Sequence, residues 1–91
     1  MLLSKDEVIK SVSNYGWTYN DKKLSKTFTF KTYMEGLEFV NKIGSLSEKK
    51  NHHADIYIGW CEVKVYISSH DMGGVTTKCI NLAMDISFIN D

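Results

Sequence analysis

The sequence predicts an α+β domain of order αββαββα: a four-stranded, mostly antiparallel sheet with three helices packed on one face. Two observations predict it. Apolar spacing switches along the chain between the helical period of about 3.6 and the strand period of about 2. Two Ser/Thr-x-x-Glu boxes also mark where the first two helices begin. The strand-like runs come in neighbouring pairs that read as hairpins, so each pair is antiparallel, and a helix crosses from one pair to the other.

In "SKDEVIKSVSNYG", Ser4 can accept from the Glu7 amide while the Glu7 side chain reaches back. Val8, Val12 and Tyr15 follow at helical spacing, and Gly16 supplies the stop. "WTYN" and "KLSKTFTF" flank a turn at "NDKK", with Phe28 and Phe30 alternating against Thr27 and Thr29. "KTYMEGLEFVNKIGSLSEKKN" is a long amphipathic helix opened by Thr32 and Glu35, with Tyr33, Leu37, Val40 and Ile43 as its expected apolar stripe. "DIYIGW" and "EVKVYIS" are the next two strands, the second burying Val63, Val65 and Ile67 against Glu62, Lys64 and Tyr66. "HDMGGV" is a turn, and "TTKCINLAMDISFI" is a closing helix with Leu82, Ile86 and Ile89 inward.

There are no prolines, repeats or linkers, so residues 1–91 form one domain. A chain this short buries a modest core, and self-association would cover apolar area that a monomer leaves wet. Eleven basic residues balance eleven acidic ones. That balance removes the electrostatic footprint of a general nucleic-acid or anionic-membrane binder. "MLLSKDEV" places charge directly after two leucines, and no apolar run approaches the roughly 20 residues of a membrane span. Cys61 and Cys79 have neither metal spacing nor a disulfide framework and read as reduced thiols. The expectation is a soluble cytoplasmic protein.

Two of the three histidines, His52 and His53, stand together in the connection between the long helix and the third strand; His70 follows the fourth strand. Adjacent imidazoles help a helix or a core little, so the pair asks for a chemical reason. Three readings stand side by side. The histidines are ordinary surface residues; or they bind a metal, against which HxH, HxxxH and a nearby Cys pair are all missing; or they do acid–base chemistry. For the third, an imidazole both gives and takes protons near neutrality.

"EKKNHHADI", "SSHDMGG" and "INLA" together resemble the signature of the pterin-4a-carbinolamine dehydratases. That family carries an acidic residue, three spacers, His-His and usually Pro, then an aromatic, another His and finally an Asp. Glu48, His52, His53, Trp60 and His70 match in order, and the likeness covers nearly the whole chain. The resemblance implies the same αββαββα fold and assembly as a homodimer or homotetramer. It implies dehydration of 4a-hydroxytetrahydropterin to quinonoid dihydropterin, with no metal and no organic cofactor. By position, His52, His53 and His70 would be catalytic, His53 and His70 as the proton-transfer pair and His52 as the orienting residue. Asn51, Ser68, Ser69 and Asp71 would hydrogen-bond the pterin, and Glu48, one turn before His52, would hold that imidazole and raise its pKa. Some relatives act instead as dimerisation cofactors of a transcription factor or as assembly factors, which is the alternative function; those that abandon catalysis would lose histidines, and this chain keeps all three.

Two positions depart from the family. Ala54 stands for the usual Pro, and Cys79 aligns with the final Asp. If Thr76 caps the last helix, position 79 is N3, so the family Asp is either a capping residue or an orienter of histidine. Trp17, Tyr57 and Trp60 invite a stacking role, although strand aromatics more often serve core or interface. Trp60, at the family's aromatic position, and Cys79 are therefore the expected supporting residues.

Overall fold

The computed structural model describes residues 2–89. Its elements are α1 (Lys5–Val12), β1 (Thr18–Asn20), β2 (Lys23–Thr29), α2 (Tyr33–Lys50), β3 (Asp55–Gly59), β4 (Glu62–Ile67) and α3 (Thr77–Ile89). The strands form one antiparallel sheet in the order β1-β2-β4-β3, so the expected architecture is the observed one.

Local chemistry sets the boundaries. Both capping boxes form: Ser4 Oγ accepts from Glu7 N at 3.2 Å and Thr32 Oγ1 accepts from Glu35 N at 3.1 Å. In return Ser4 N and Thr32 N donate to the carboxylates of Glu7 and Glu35. Each box satisfies two amides that the first turn leaves orphaned. The β1–β2 turn is Asp21–Lys22, both with positive φ (53° and 63°), the backbone of a two-residue hairpin whose twist suits the strands. α1 stops at Val12 and a 3-10 turn carries the chain to Gly16, whose φ of 83° is open to glycine at little cost. Tyr15 is consequently exposed rather than part of the α1 stripe.

Alternation divides the sheet into two faces. Leu24, Phe28, Val63, Val65 and Ile67 are buried beneath the helices with Val8, Val12, Phe39, Ile43, Leu82 and Ile86. Each fully buried aliphatic side chain contributes roughly 1.5–3 kcal/mol relative to exposure. Trp17 belongs to this core, and its Nε1 donates to the buried Ser87 Oγ at 2.8 Å. The other face carries Thr27, Lys64, Tyr57 and Tyr66, with the two tyrosine rings edge to face at 5.5 Å.

The phase of α2 differs from expectation. Gly36, Phe39, Ile43 and Ser47 are its buried residues, whereas Tyr33 is exposed and Leu37 and Val40 are half-buried. Phe39 decides the rotation: its ring lies 4.7 Å from that of Phe28 and 5.2 Å from that of Phe30, just past the end of β2. Gly36 lies on the same buried arc, where an added Cβ would make ordinary van der Waals contact with Val63 Cγ2 at 3.5 Å. Among the described residues no helix is long and apolar enough to cross a membrane.

Candidate active site

α2 ends in a way that aims the histidines. Asn51 takes the left-handed conformation (φ 51°, ψ 41°), its N–H donates to Glu48 O, and His52 N donates to Ser47 O at 3.0 Å. This is the Schellman close of a helix, and asparagine is among the few non-glycine residues that tolerate it. His52 and His53 therefore leave the helix axis together, in the connection that leads to β3.

The sheet brings the third histidine to them. Asp55 pairs with Tyr66, so the residues before β3 lie beside those that follow β4. Beyond β4, Ser69 N donates to Gly74 O at 2.7 Å and Gly73 N donates to Ser69 O at 2.9 Å, closing a tight turn around His70 and Asp71. The result is a pocket of about 170 Å³ lined by Asn51, His52, His53, Ser68, Ser69, His70 and Asp71. Those are the seven residues the sequence nominated around a ligand, gathered from two segments.

The imidazoles have different surroundings. His53 is exposed, and its Nε2 donates to the Glu48 carboxylate. His52 is half-buried, with Nε2 3.2 Å from Cys79 Sγ. Burial holds the His52 pKa below the ordinary histidine value, and positive charge on Lys78, His70 and His53 pushes the same way. Glu48 therefore holds His53, not His52 as one-turn spacing suggested, and the His52 pKa is lowered rather than raised. The reason is Asn51: once it turns left-handed, the four-residue helical spacing no longer places position 52 over position 48.

Cys79 is the third residue of α3 and is fully buried, its Sγ also 3.5 Å from Thr76 Oγ1. Trp60 is elsewhere. It occupies the β3–β4 turn, at the opposite end of that hairpin from the histidines, and is 83% exposed. Lys78, beside His52 at the start of α3, went unnoticed in the sequence; its only signal was a cation adjacent to position 79. Among the described residues no group of three His, Cys, Asp or Glu side chains could hold a metal ion. Larger hollows exist, one of about 380 Å³ on the open sheet face at Tyr57 and Tyr66 and one of about 430 Å³ along α2 near Ile89. Neither contains a histidine, so the smaller pocket is the one with chemistry to offer.

The pocket of this α+β scaffold presents three imidazoles, one backed by a carboxylate and one by a thiol. The chain belongs to the pterin 4 alpha carbinolamine dehydratase family, whose model matches residues 1–89. It is 42% identical over 90 residues to a protein of a Nostoc species, covering 98% of this chain and 97% of that one. It is 38% identical over 90 residues to one of Sulfolobus acidocaldarius, covering 98% and 99%. Both are named, provisionally, as pterin-4-alpha-carbinolamine dehydratases. The fold matches that of a transcriptional coactivator/pterin dehydratase from Brucella melitensis, with a TM-score of 0.93, 23% identity and full coverage of both chains. It also matches a pterin dehydratase-like protein described as a RuBisCO assembly factor in the alpha-carboxysome, with a TM-score of 0.66, 19% identity, and 80% and 84% coverage.

Proposed function

We propose that this protein dehydrates a 4a-hydroxytetrahydropterin to the quinonoid dihydropterin by histidine acid–base catalysis. One observation carries the reading: His52, His53 and His70 line a single pocket in a member of this family. Loss of water from C4a needs a proton delivered to the departing hydroxyl and another removed from N5. Two groups must therefore flank a flat ring, and holding them there supplies much of the rate.

His53 and His70 form the proton-transfer pair. His53 is exposed to ligand and backed by Glu48, which fixes its ring and stabilises its charged form as it takes a proton. His52 is anchored, half-buried and biased to neutrality, which suits orientation of the substrate more than proton transfer. Asn51, Ser68, Ser69 and Asp71 supply polar contacts to the amide and amine edge of the pterin. No metal or organic cofactor takes part, and the working protein is a homodimer or homotetramer in the cytoplasm.

A non-catalytic role as a binding, dimerisation or assembly cofactor on the same scaffold is the competing reading. Its support is that one protein of similar fold is described as an assembly factor. Purified protein assayed on freshly generated 4a-hydroxytetrahydropterin separates the two. The enzyme reading requires turnover well above the spontaneous rate, unaffected by EDTA, with loss in His53→Ala and His70→Ala. A folded wild type that does not exceed the spontaneous rate leaves the binding role.

A further inference from the structure

The contact between Cys79 and His52 is not needed to explain the pocket, yet it engages Nε2 of His52 and leaves Nδ1 outside that contact. We propose that Cys79 is a positioning residue: its thiol donates to His52 Nε2 and holds the ring as the Nδ1–H tautomer, so that His52 presents a hydrogen-bond donor to the pocket.

Geometry and chemistry point the same way. Cys79 Sγ is 3.2 Å from His52 Nε2 and fully buried within the apolar cluster of Val75, Leu82 and Ala83. The thiol proton gains from a hydrogen-bond acceptor in such surroundings. That proton has two candidate acceptors, Thr76 Oγ1 at 3.5 Å and His52 Nε2 at 3.2 Å. A neutral imidazole nitrogen accepts well, whereas thiol sulfur is a weak acceptor that would poorly reward an Nε2–H pointed at it. The favoured chain therefore runs from the Thr76 hydroxyl to Sγ and from the thiol to Nε2. With Nε2 occupied, the proton of the neutral ring sits on Nδ1.

A carboxylate at position 79 would reverse this. It can only accept, so it would demand Nε2–H, leave Nδ1 as an acceptor in the neutral ring, and favour the imidazolium. Burial and the charges of Lys78, His70 and His53 oppose that charged form in the present chain. Lys50 and Asn81 also border His52; Glu48 is engaged with His53, and Asp71 shares the pocket with His52 but makes no hydrogen bond or ion pair with it among the described residues. The residue at 79 thus decides whether the orienting histidine gives or receives a hydrogen bond. The consequence for substrate orientation rests on the dehydratase reading, but the tautomer itself does not.

Two-bond ¹⁵N–¹H correlation spectra of the labelled full-length protein at neutral pH read the tautomer directly, with His52→Asn identifying the His52 signals. The expected result is an Nδ1–H pattern in wild type and in Cys79→Ser, loss of that preference in Cys79→Ala, and Nε2–H in Cys79→Asp. In Cys79→Asp the His52 titration should also move up from its wild-type position. An Nε2–H wild type, or a Cys79→Ala spectrum identical to wild type, overturns the proposal. Because the spectra need no turnover, an inactive protein with the expected tautomers would sink the dehydratase reading and leave this one standing.

Discussion

At the residue scale, the three imidazoles differ in what stands behind them, and each difference has a measurable consequence. On the proposed reading His53 and His70 are the proton-transfer pair, so kcat in either alanine variant should fall by about 10²-fold or more with the fold intact by circular dichroism. Glu48→Ala leaves His53 in place but unheld, and kcat should drop by about tenfold while KM changes little. An unchanged kcat would mean that the carboxylate only solvates the helix end. His52 reports through stability. Its folded pKa lies below its unfolded value of about 6.5, so the unfolded chain binds the proton first as the pH falls. Its contribution is complete above the unfolded pKa and is lost as the pH drops towards the folded one. Wild type should therefore lose more melting temperature than His52→Asn between about pH 7.5 and 5.5; equal losses would contradict the lowered pKa. The pair His52–His53 stood out because adjacent histidines have so little other use, whereas the place of His70 beside them came from the family resemblance. The pairing of Glu48 was not legible, because a single left-handed residue, Asn51, breaks the helical spacing on which the expectation relied.

At the element scale, helix starts were legible and the rotation of α2 was not. A capping box is local chemistry, complete within four residues, and both boxes form as read. The apolar residues of α2 wrap most of the way round it, from Tyr33 and Met34 through Leu37, Phe39 and Val40 to Ile43 and Leu46. Which arc faces the sheet depends on partners far along the chain, chiefly Phe28 and Val63, and periodicity cannot see them. Gly44 sits on the same helix with nothing within 4 Å of an added Cβ. Gly44→Ala should then stabilise the protein by roughly 0.5–1 kcal/mol, read as an upward shift in denaturant midpoint. Ser87→Ala should do the opposite. It leaves the Trp17 indole N–H buried without a partner, at a cost of about 1–3 kcal/mol. A neutral result there would imply that water replaces the hydroxyl.

At the scale of the whole molecule, the sheet is open, with β1 and β3 as its edge strands. On β3, Tyr57 and Ile58 are 61% and 39% exposed, with Trp60 more exposed still in the adjoining turn. Strand edges of this kind are normally paired or covered. Light scattering at micromolar concentration should accordingly report at least a dimer, and a strict monomer would refute that expectation. The central claim is narrower: histidines exchange protons with a pterin in the pocket between α2 and the turn after β4. The most direct measurement of it is the pH dependence of kcat/KM on 4a-hydroxytetrahydropterin, for wild type, His53→Ala and His70→Ala. A bell is predicted for wild type, because one group must hold a proton while another is free to take one, and each variant should lose a limb of it. A wild-type profile that stays flat from about pH 5 to 9, with chemistry limiting the rate, would contradict the account.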